Sequence, residues 1–265
     1  MLRDITLGQF YQTESLIHRL DPRVKLFGTM VYMICVFLMN DGITFGLLTL
    51  YLFSVIKLSR VPLSYMLRGL KNVAVLMILT AGFNIFMGDG DPIFSFGILR
   101  ITMQGVMTSL KVIFRLTYIV MGTSVMTLTT TPNQITDGLE KGLGILKKIG
   151  VPVHELALMM SIALRFIPIL TEEADRIMKA QAARGACFDE GKLKDRIKAF
   201  VPVLVPLFVA AFKRAGDLAL AMEARCYNGG EGRTKMYPLV YGKKDVTAYV
   251  IIVICTALII LARVL

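Results

Sequence analysis

Four stretches of this chain, 26–39, 43–56, 73–87 and 246–262, run for a dozen residues or more without one charged side chain. Such stretches suit membrane-crossing helices, although the first two fall short of the roughly 20 residues that span a bilayer and must borrow from their flanks. Composition agrees. Hydrophobic residues make up 55% of the 265-residue chain and mean hydropathy is +0.64, above the about 45–50% apolar content of a soluble domain. The sequence predicts an all-α integral membrane protein with about five transmembrane helices and long cytoplasmic amphipathic helices. Trp is absent, so Tyr must supply any aromatic belt.

Charge orders the spans. The net charge is +11, and the basic residues sit between apolar runs rather than on one face, which fits cytoplasmic loops and argues against nucleic acid as a partner. Lys57, Arg60, Arg68 and Lys71 follow the second span, so the first two form a hairpin with its tip, Asn40-Asp41-Gly42, outside. The acidic, turn-rich stretch 88–92 suits the outer face. Its Asp89 and Asp91 lack the further ligands of a calcium loop. Residues 101–128 are apolar but carry Lys111 and Arg115. Either both face a protein interior or the span begins after them, near Val112. Lys243 and Lys244 hold the start of the last span inside. The pattern places the N-terminus in the cytoplasm and the C-terminus outside. It divides the chain into an N-terminal membrane part, 1–130, with about four spans, a cytoplasmic region, 131–240, and a C-terminal transmembrane helix, 241–265. The polar head does not read as a cleavable signal. Asp21-Pro22 reads as an N-cap followed by proline at the first helical position, with Arg19, Arg23 and Lys25 as a basic anchor.

The region between the spans is built differently. Residues 171–237 hold twelve Lys or Arg and nine Asp or Glu. One theme occurs there twice, 41 positions apart: Ala174, Ala180, Ala183 and Arg184 fall on Ala215, Ala221, Ala224 and Arg225. The apolar stripes Leu170, Ala174, Ile177, Met178 and Ala215, Leu218, Ala219, Met222 follow helical spacing. Glu172/Arg176 and Asp175/Lys179 are acid-before-base pairs four apart. Two similar helices are expected, each delivering an arginine at its C-terminal end. The first continues from an apolar entry over 151–170, kinked near Pro168. The second has an entry over 200–212 with Pro202 and Pro206, after a charged connection over 188–198. A guanidinium beside Ala or Gly can enter a partner's groove and bond a carboxylate or helix-end carbonyls, and the stripes call for a partner to bury them.

Other chemistry is missing. Residues 185–193 come near a phosphate loop, but five residues separate Gly185 from Gly191, and Leu193 stands where Ser or Thr would hold magnesium. His18 and His154 are too few for a metal site. Cys35, Cys187, Cys226 and Cys255 form no paired motif and suit reduced thiols. No nucleophile–base pair points to a lipid-modifying enzyme. A permease that binds solute itself, with Lys111, Arg115 and Arg165 facing a cavity, is the alternative, though no inverted repeat or glycine-broken pair of spans supports it.

These residues are familiar. Residues 16–25 (LIHRLDPRVK), 131–140 (TPNQITDGLE), 165–168 (RFIP), 172–185 (EEADRIMKAQAARG) and 221–227 (AMEARCY) resemble the transmembrane T component of energy-coupling factor transporters, a branch of the ATP-binding cassette importers for vitamins and metals. The paired Ala-Arg-Gly motifs are the specific part. The resemblance implies a non-catalytic subunit of a bacterial cell membrane complex that binds no cofactor itself. ATP and magnesium would be held by two ATPase subunits, whose grooves take Ala183, Arg184, Gly185 and Ala224, Arg225, Cys226. A separate, membrane-embedded substrate-binding S component would face Ala174, Ile177, Met178, Ala215, Leu218, Ala219 and Met222. Cys226 departs from the glycine usual in the second motif, which implies a less tight approach or a different partner surface there.

Overall fold

A computed structural model describes every residue except 1–9, 87–91, 97–98, 187, 189–192, 231–235, 237 and 265. Eight α-helices dominate the described residues: α1 (Pro22–Leu38), α2 (Gly42–Ser59), α3 (Leu63–Phe86), α4 (Met103–Thr129), α5 (Pro132–Gly142), α6 (Val153–Ala183), α7 (Leu193–Ala224) and α8 (Lys243–Val264). Two short antiparallel strands, β1 (Pro92–Phe96) and β2 (Leu99–Thr102), join α3 to α4. This hairpin is not expected from the sequence, and most of the acidic turn before it lies outside the described residues. A 3₁₀ turn, Leu143–Ile149, precedes α6.

Among the described residues, six helices are long and apolar enough to cross a membrane: Gly42–Ser59, Leu63–Phe86, Met103–Thr129, Val153–Ala183, Lys198–Ala224 and Lys243–Ala262. That agrees roughly with the expected five, with two differences. At 17 residues, α1 is short for a span. The entries of α6 and α7 are apolar enough to qualify despite their prolines and charges. Helix α7 also starts earlier than expected, at Leu193, because Lys and Arg are good helix formers and a charged stretch need not be loop.

The helices divide into two compact units, Gly8–Lys141 with Leu239–Leu265, and Gly142–Pro238. In the first, two of the helix caps are the ones the sequence announces, at Asp21 and at the Thr run before Pro132, and two more appear at Thr44 and Thr102. The Asp21 carboxylate accepts the Arg23 N–H at 2.9 Å with Pro22 at the first helical position. Thr44 Oγ1 accepts the Asp41 N–H at the start of α2. Thr102 Oγ1 accepts the Gly105 N–H at the start of α4. Thr131 and Gln134 exchange side-chain and backbone bonds at the start of α5, a capping box. Helix α2 stops where Arg60 turns left-handed, at φ +55°.

The core of this unit gathers Tyr32, Val36, Leu48, Leu52, Met66, Tyr118 and Val125 from α1 to α4, with Ile259 from α8. The ring of Tyr32 lies against α4 at Gly122, where a Cβ would come within 2.2 Å of it, and its hydroxyl donates to the Tyr118 carbonyl at 3.1 Å. Only glycine permits that approach.

The head residues form a buried clasp rather than the basic anchor expected of Arg23 and Lys25. Asp21 also accepts from Arg23 Nε at 3.0 Å and Nη2 at 2.8 Å. The guanidinium lies 3.8 Å over the Tyr241 ring. The Asp21 N–H donates to Asp245 of α8 at 2.8 Å, and the other Asp245 oxygen accepts the Gly242 N–H. Lys25 Nζ donates to the carbonyls of His18 and Thr129, the latter an orphan of the last turn of α4. Charges that are each costly to bury are thus paired and hydrogen-bonded, and they join positions 21 and 245. Arg19 alone remains exposed, on Glu14 at 2.6 Å.

Lys111 and Arg115 part company. Lys111 is exposed, while Arg115 reaches inward and donates to the Met39 carbonyl at the end of α1, at 2.9 Å. The span holding them starts at Met103, so of the two expectations the interior one holds for Arg115 alone.

Candidate functional site: two matched helix ends

The second unit is a pair of long helices, α6 with 31 residues and α7 with 32. Each is continuous across its prolines, so the apolar entry and the charged, arginine-ended half are one helix, as the sequence suggested. Proline removes an N–H and leaves the carbonyl four residues earlier without its helical partner. Pro206 does this to Pro202, and the Gln181 side chain of α6 takes up that carbonyl at 3.4 Å. Glu173 of α6 pairs with Arg214 of α7 at 3.1 Å. Later residues of α6 thus meet earlier residues of α7, so the helices run antiparallel. The two arginine ends lie apart, by roughly 35 Å along the pair at 1.5 Å per residue.

The two ends are built alike. In α6 the Ala186 N–H reaches back to the Gln181 carbonyl at 3.0 Å and the Gly185 N–H to Ala182 at 2.9 Å. In α7 the Tyr227 N–H reaches Met222 at 3.1 Å and the Cys226 N–H reaches Glu223 at 2.8 Å. Every atom of the second set is 41 positions on from its counterpart in the first. Both sets are Schellman motifs, which need a left-handed residue just past the helix. Gly185 supplies it at φ +92°, and Cys226 supplies it at φ +54°. The glycine-to-cysteine difference therefore falls on a backbone position, where it first affects the cost of the turn. Ala183, Arg184, Gly185, Ala224, Arg225 and Cys226 are all exposed, and each guanidinium follows the negative end of a helix dipole, a favourable place for a cation.

The apolar stripes are only partly withdrawn from solvent. Ala174, Ile177, Met178, Leu218 and Met222 are half-buried, and Ala215 and Ala219 are exposed. Leu218 and Met222 line an open cleft of about 610 Å³ with Ser161, Ile162, Arg165 and Phe166 of α6 and residues 225–229. The other stripe residues do not line it. Arg165 is thus brought to the same cleft as Arg225, and an occupant with an apolar body and a carboxylate would suit both. The segment after α7 turns back through Gly229, at φ +85°, and Gly230 sits where a Cβ would come within 2.3 Å of the His154 ring. In the sequence, the signals for this were an arginine inside an apolar helix and a Gly-Gly pair after Asn228.

Among the described residues no group of three or more His, Cys, Asp or Glu could hold a metal ion. Lys111, Arg115 and Arg165 share none of the described cavities.

The fold and the two ends define a multi-pass helical membrane protein that presents a matched pair of exposed arginine-bearing helix tips. Comparison with known proteins narrows the class. Residues 13–236 match the family model CbiQ, cobalt transport protein. The chain is 47% identical over 264 residues to the energy-coupling factor transporter transmembrane protein EcfT of Bacillus subtilis, covering 99% of this chain and 100% of that one. It is 48% identical to the EcfT protein of Acidaminococcus fermentans, over 92% of this chain and 91% of that one. To the EcfT protein of Lactococcus lactis it is 43% identical, over 98% of each. The chain belongs to this cobalt transport protein family, alongside the energy-coupling factor transmembrane proteins of those bacteria.

Proposed function

We propose that this chain is the non-catalytic energy-coupling subunit of an importer of the energy-coupling factor type. It transmits the ATP-driven movement of two ATPase subunits to a separate, membrane-embedded S component that binds the vitamin or metal. ATP and magnesium belong to the ATPases, and this chain binds no cofactor. Arg184 and Arg225, with Ala183, Gly185, Ala224 and Cys226, are the points of ATPase contact on the cytoplasmic side. The half-exposed stripes of α6 and α7 face the S component.

The observation that carries this reading is the duplicated helix end. Two tips with the same backbone geometry, the same exposed guanidinium and opposite positions on one antiparallel pair suit two related partner subunits. Helices of about 46 Å and 48 Å at 1.5 Å per residue are stiff enough to convey a rigid-body movement. The free energy must come from contacts that differ between the ATP-closed and open states.

Purification of the tagged chain with its partners from host membranes tests the proposal. Arg184→Glu and Arg225→Glu are each expected to reduce recovery of ATPase subunits at least tenfold and to abolish uptake, while the chain keeps its helical content and melting temperature. Wild-type uptake by both variants would overturn the assignment. So would saturable solute binding by the chain alone, which favours a permease.

A further inference from the structure

The first unit holds two adjoining cavities that the coupling reading leaves unused. One is an open bowl of about 780 Å³ lined by Arg19, Lys57 and Arg60, with Glu14, Ser15 and Ser54. The other is a slot of about 180 Å³ with a mainly apolar surface, formed by Ile17, Leu20, Val55, Val125 and Ile251 among others; Lys25 also lines it, its Nζ donating to the His18 and Thr129 carbonyls. Leu58 belongs to both, so one opens beside the other. The same two segments build them, turning alternate side chains to either side. Leu16, Arg19, Ser54 and Lys57 line the bowl, and their neighbours Ile17, Leu20, Val55 and Leu58 line the slot. Leu16 and Leu58 are exposed at the rim, at 55% and 49%.

The charges select an occupant. Three cations against the single carboxylate of Glu14 leave the bowl with a surplus of two positive charges. The bowl lies where α1 begins and α2 ends, at the boundary between charged and apolar sequence, which is the level of lipid headgroups. Arginine suits phosphate because its planar fork makes paired bonds to two oxygens. Basic pockets between membrane helices are a recurring way of holding anionic headgroups. We infer that this bowl and slot bind one anionic phospholipid, with its phosphodiester among Arg19, Lys57 and Arg60 and part of an acyl chain in the slot past Leu58. A zwitterionic lipid brings its own ammonium group into a field that is already positive and is disfavoured. The Glu14–Arg19 pair loosens as the phosphate takes its place on Arg19.

Native mass spectrometry of the full chain, released in mild detergent from nanodiscs of equal phosphatidylglycerol and phosphatidylcholine, tests this. Wild type is expected to retain about one phosphatidylglycerol per chain in preference to phosphatidylcholine. The triple variant Arg19→Gln, Lys57→Gln, Arg60→Gln should weaken retention on the order of a hundredfold, from about fivefold per surface cation. Val55→Trp, which fills the slot and leaves every charge, should also lower it, whereas Lys57→Arg should not. All these side chains except Val55 are exposed, and circular dichroism confirms that each variant folds. Equal retention of the two lipids, retention unaffected by the triple variant, or displacement by millimolar inorganic phosphate without loss in Val55→Trp would each overturn the inference. Loss of a co-purifying protein subunit in the triple variant, with lipid retention unchanged, would overturn it in favour of a protein occupant.

Discussion

The two units solve opposite problems with the same kind of helix. The first is tied together internally, although its helices also turn apolar residues outward, among them Val75 and Ile78 of α3, both more than 70% exposed. Tyr32 is buried against Gly122, the helix ends carry side-chain caps, and the charged head is locked to α8 through Asp21 and Asp245. The second leaves its surfaces open. Helix α6 buries only Val153 and Ala157, and α7 keeps Val205, Phe208, Val209 and Phe212 more than half exposed. A region that is to move against partners cannot satisfy all its contacts internally, and apolar faces of this size call for lipid or protein to cover them. The first unit is therefore expected to set the chain's stability, and the second to set what the chain assembles with.

One substitution in each unit should separate them. Gly122→Val forces a side chain into the Tyr32 ring and is expected to destabilise by about 3 kcal/mol, the upper end of overpacking effects. Phe208→Ala removes a far larger group from α7, but one that is 62% exposed. It should change stability by less than about 0.5 kcal/mol. Thermal melting followed by circular dichroism, with the isolated chain in detergent, measures both. A large loss in Phe208→Ala would show that the helix pair has a core of its own and would break the contrast.

The clasp sharpens it. Burial pushes the Asp21 carboxyl up, but the Arg23 guanidinium and N–H outweigh it and hold the group below its ordinary value of 3.8. Asp21→Ala leaves the largely buried Arg23 with only the Leu239 carbonyl and the Tyr241 ring. It is expected to cost about 3 kcal/mol, in the range for breaking a buried pair. Because the folded value is depressed, the contribution is complete above about pH 4 and is lost as pH falls further. His18 acts earlier. Burial lowers its pKa from 6.5 despite the bond to the Tyr11 carbonyl. The folded state favours the neutral ring, so its contribution is complete above that value and declines as pH drops through it. A melting series from pH 8 to pH 5 should show this step in wild type and lose it in His18→Gln. A step that persists in the variant would assign it elsewhere.

What the sequence made legible follows the same division. Chargeless runs, Asp21-Pro22 and the run of Thr before Pro132 mark helices and their ends because the cause is local. The 41-residue repeat marks two equivalent helix ends in the sequence itself. Lys25 and Arg23 read as surface anchors because nothing nearby in sequence reveals Asp245 or the Thr129 carbonyl. The antiparallel pairing of α6 and α7 rests on Gln181 reaching a carbonyl that Pro206 frees, a contact between positions 21 apart. The β1–β2 hairpin escaped because its apolar residues continue the periodic runs on either side. The placement of Arg115 at the Met39 carbonyl needed the α1 and α4 packing, which no spacing encodes.

The smallest expected effect bears most directly on the two tips. Both close with the same bonds, yet one uses glycine in the left-handed position and the other uses cysteine. A left-handed conformation costs an L-residue with a Cβ on the order of 1 kcal/mol relative to glycine. Cys226→Gly should therefore strengthen the end of α7 by about that amount, and Gly185→Ala should weaken the end of α6 by as much. Hydrogen exchange at the Tyr227 and Ala186 amides, which close the two motifs, reads each change locally, as a roughly fivefold slowing and a roughly fivefold acceleration for 1 kcal/mol. If ATPase recovery follows these changes, preorganisation of the backbone sets the strength of docking, and the cysteine makes the second tip the weaker one. If exchange changes and recovery does not, the exposed guanidiniums of Arg184 and Arg225 determine docking, and the cap serves only to end the helix.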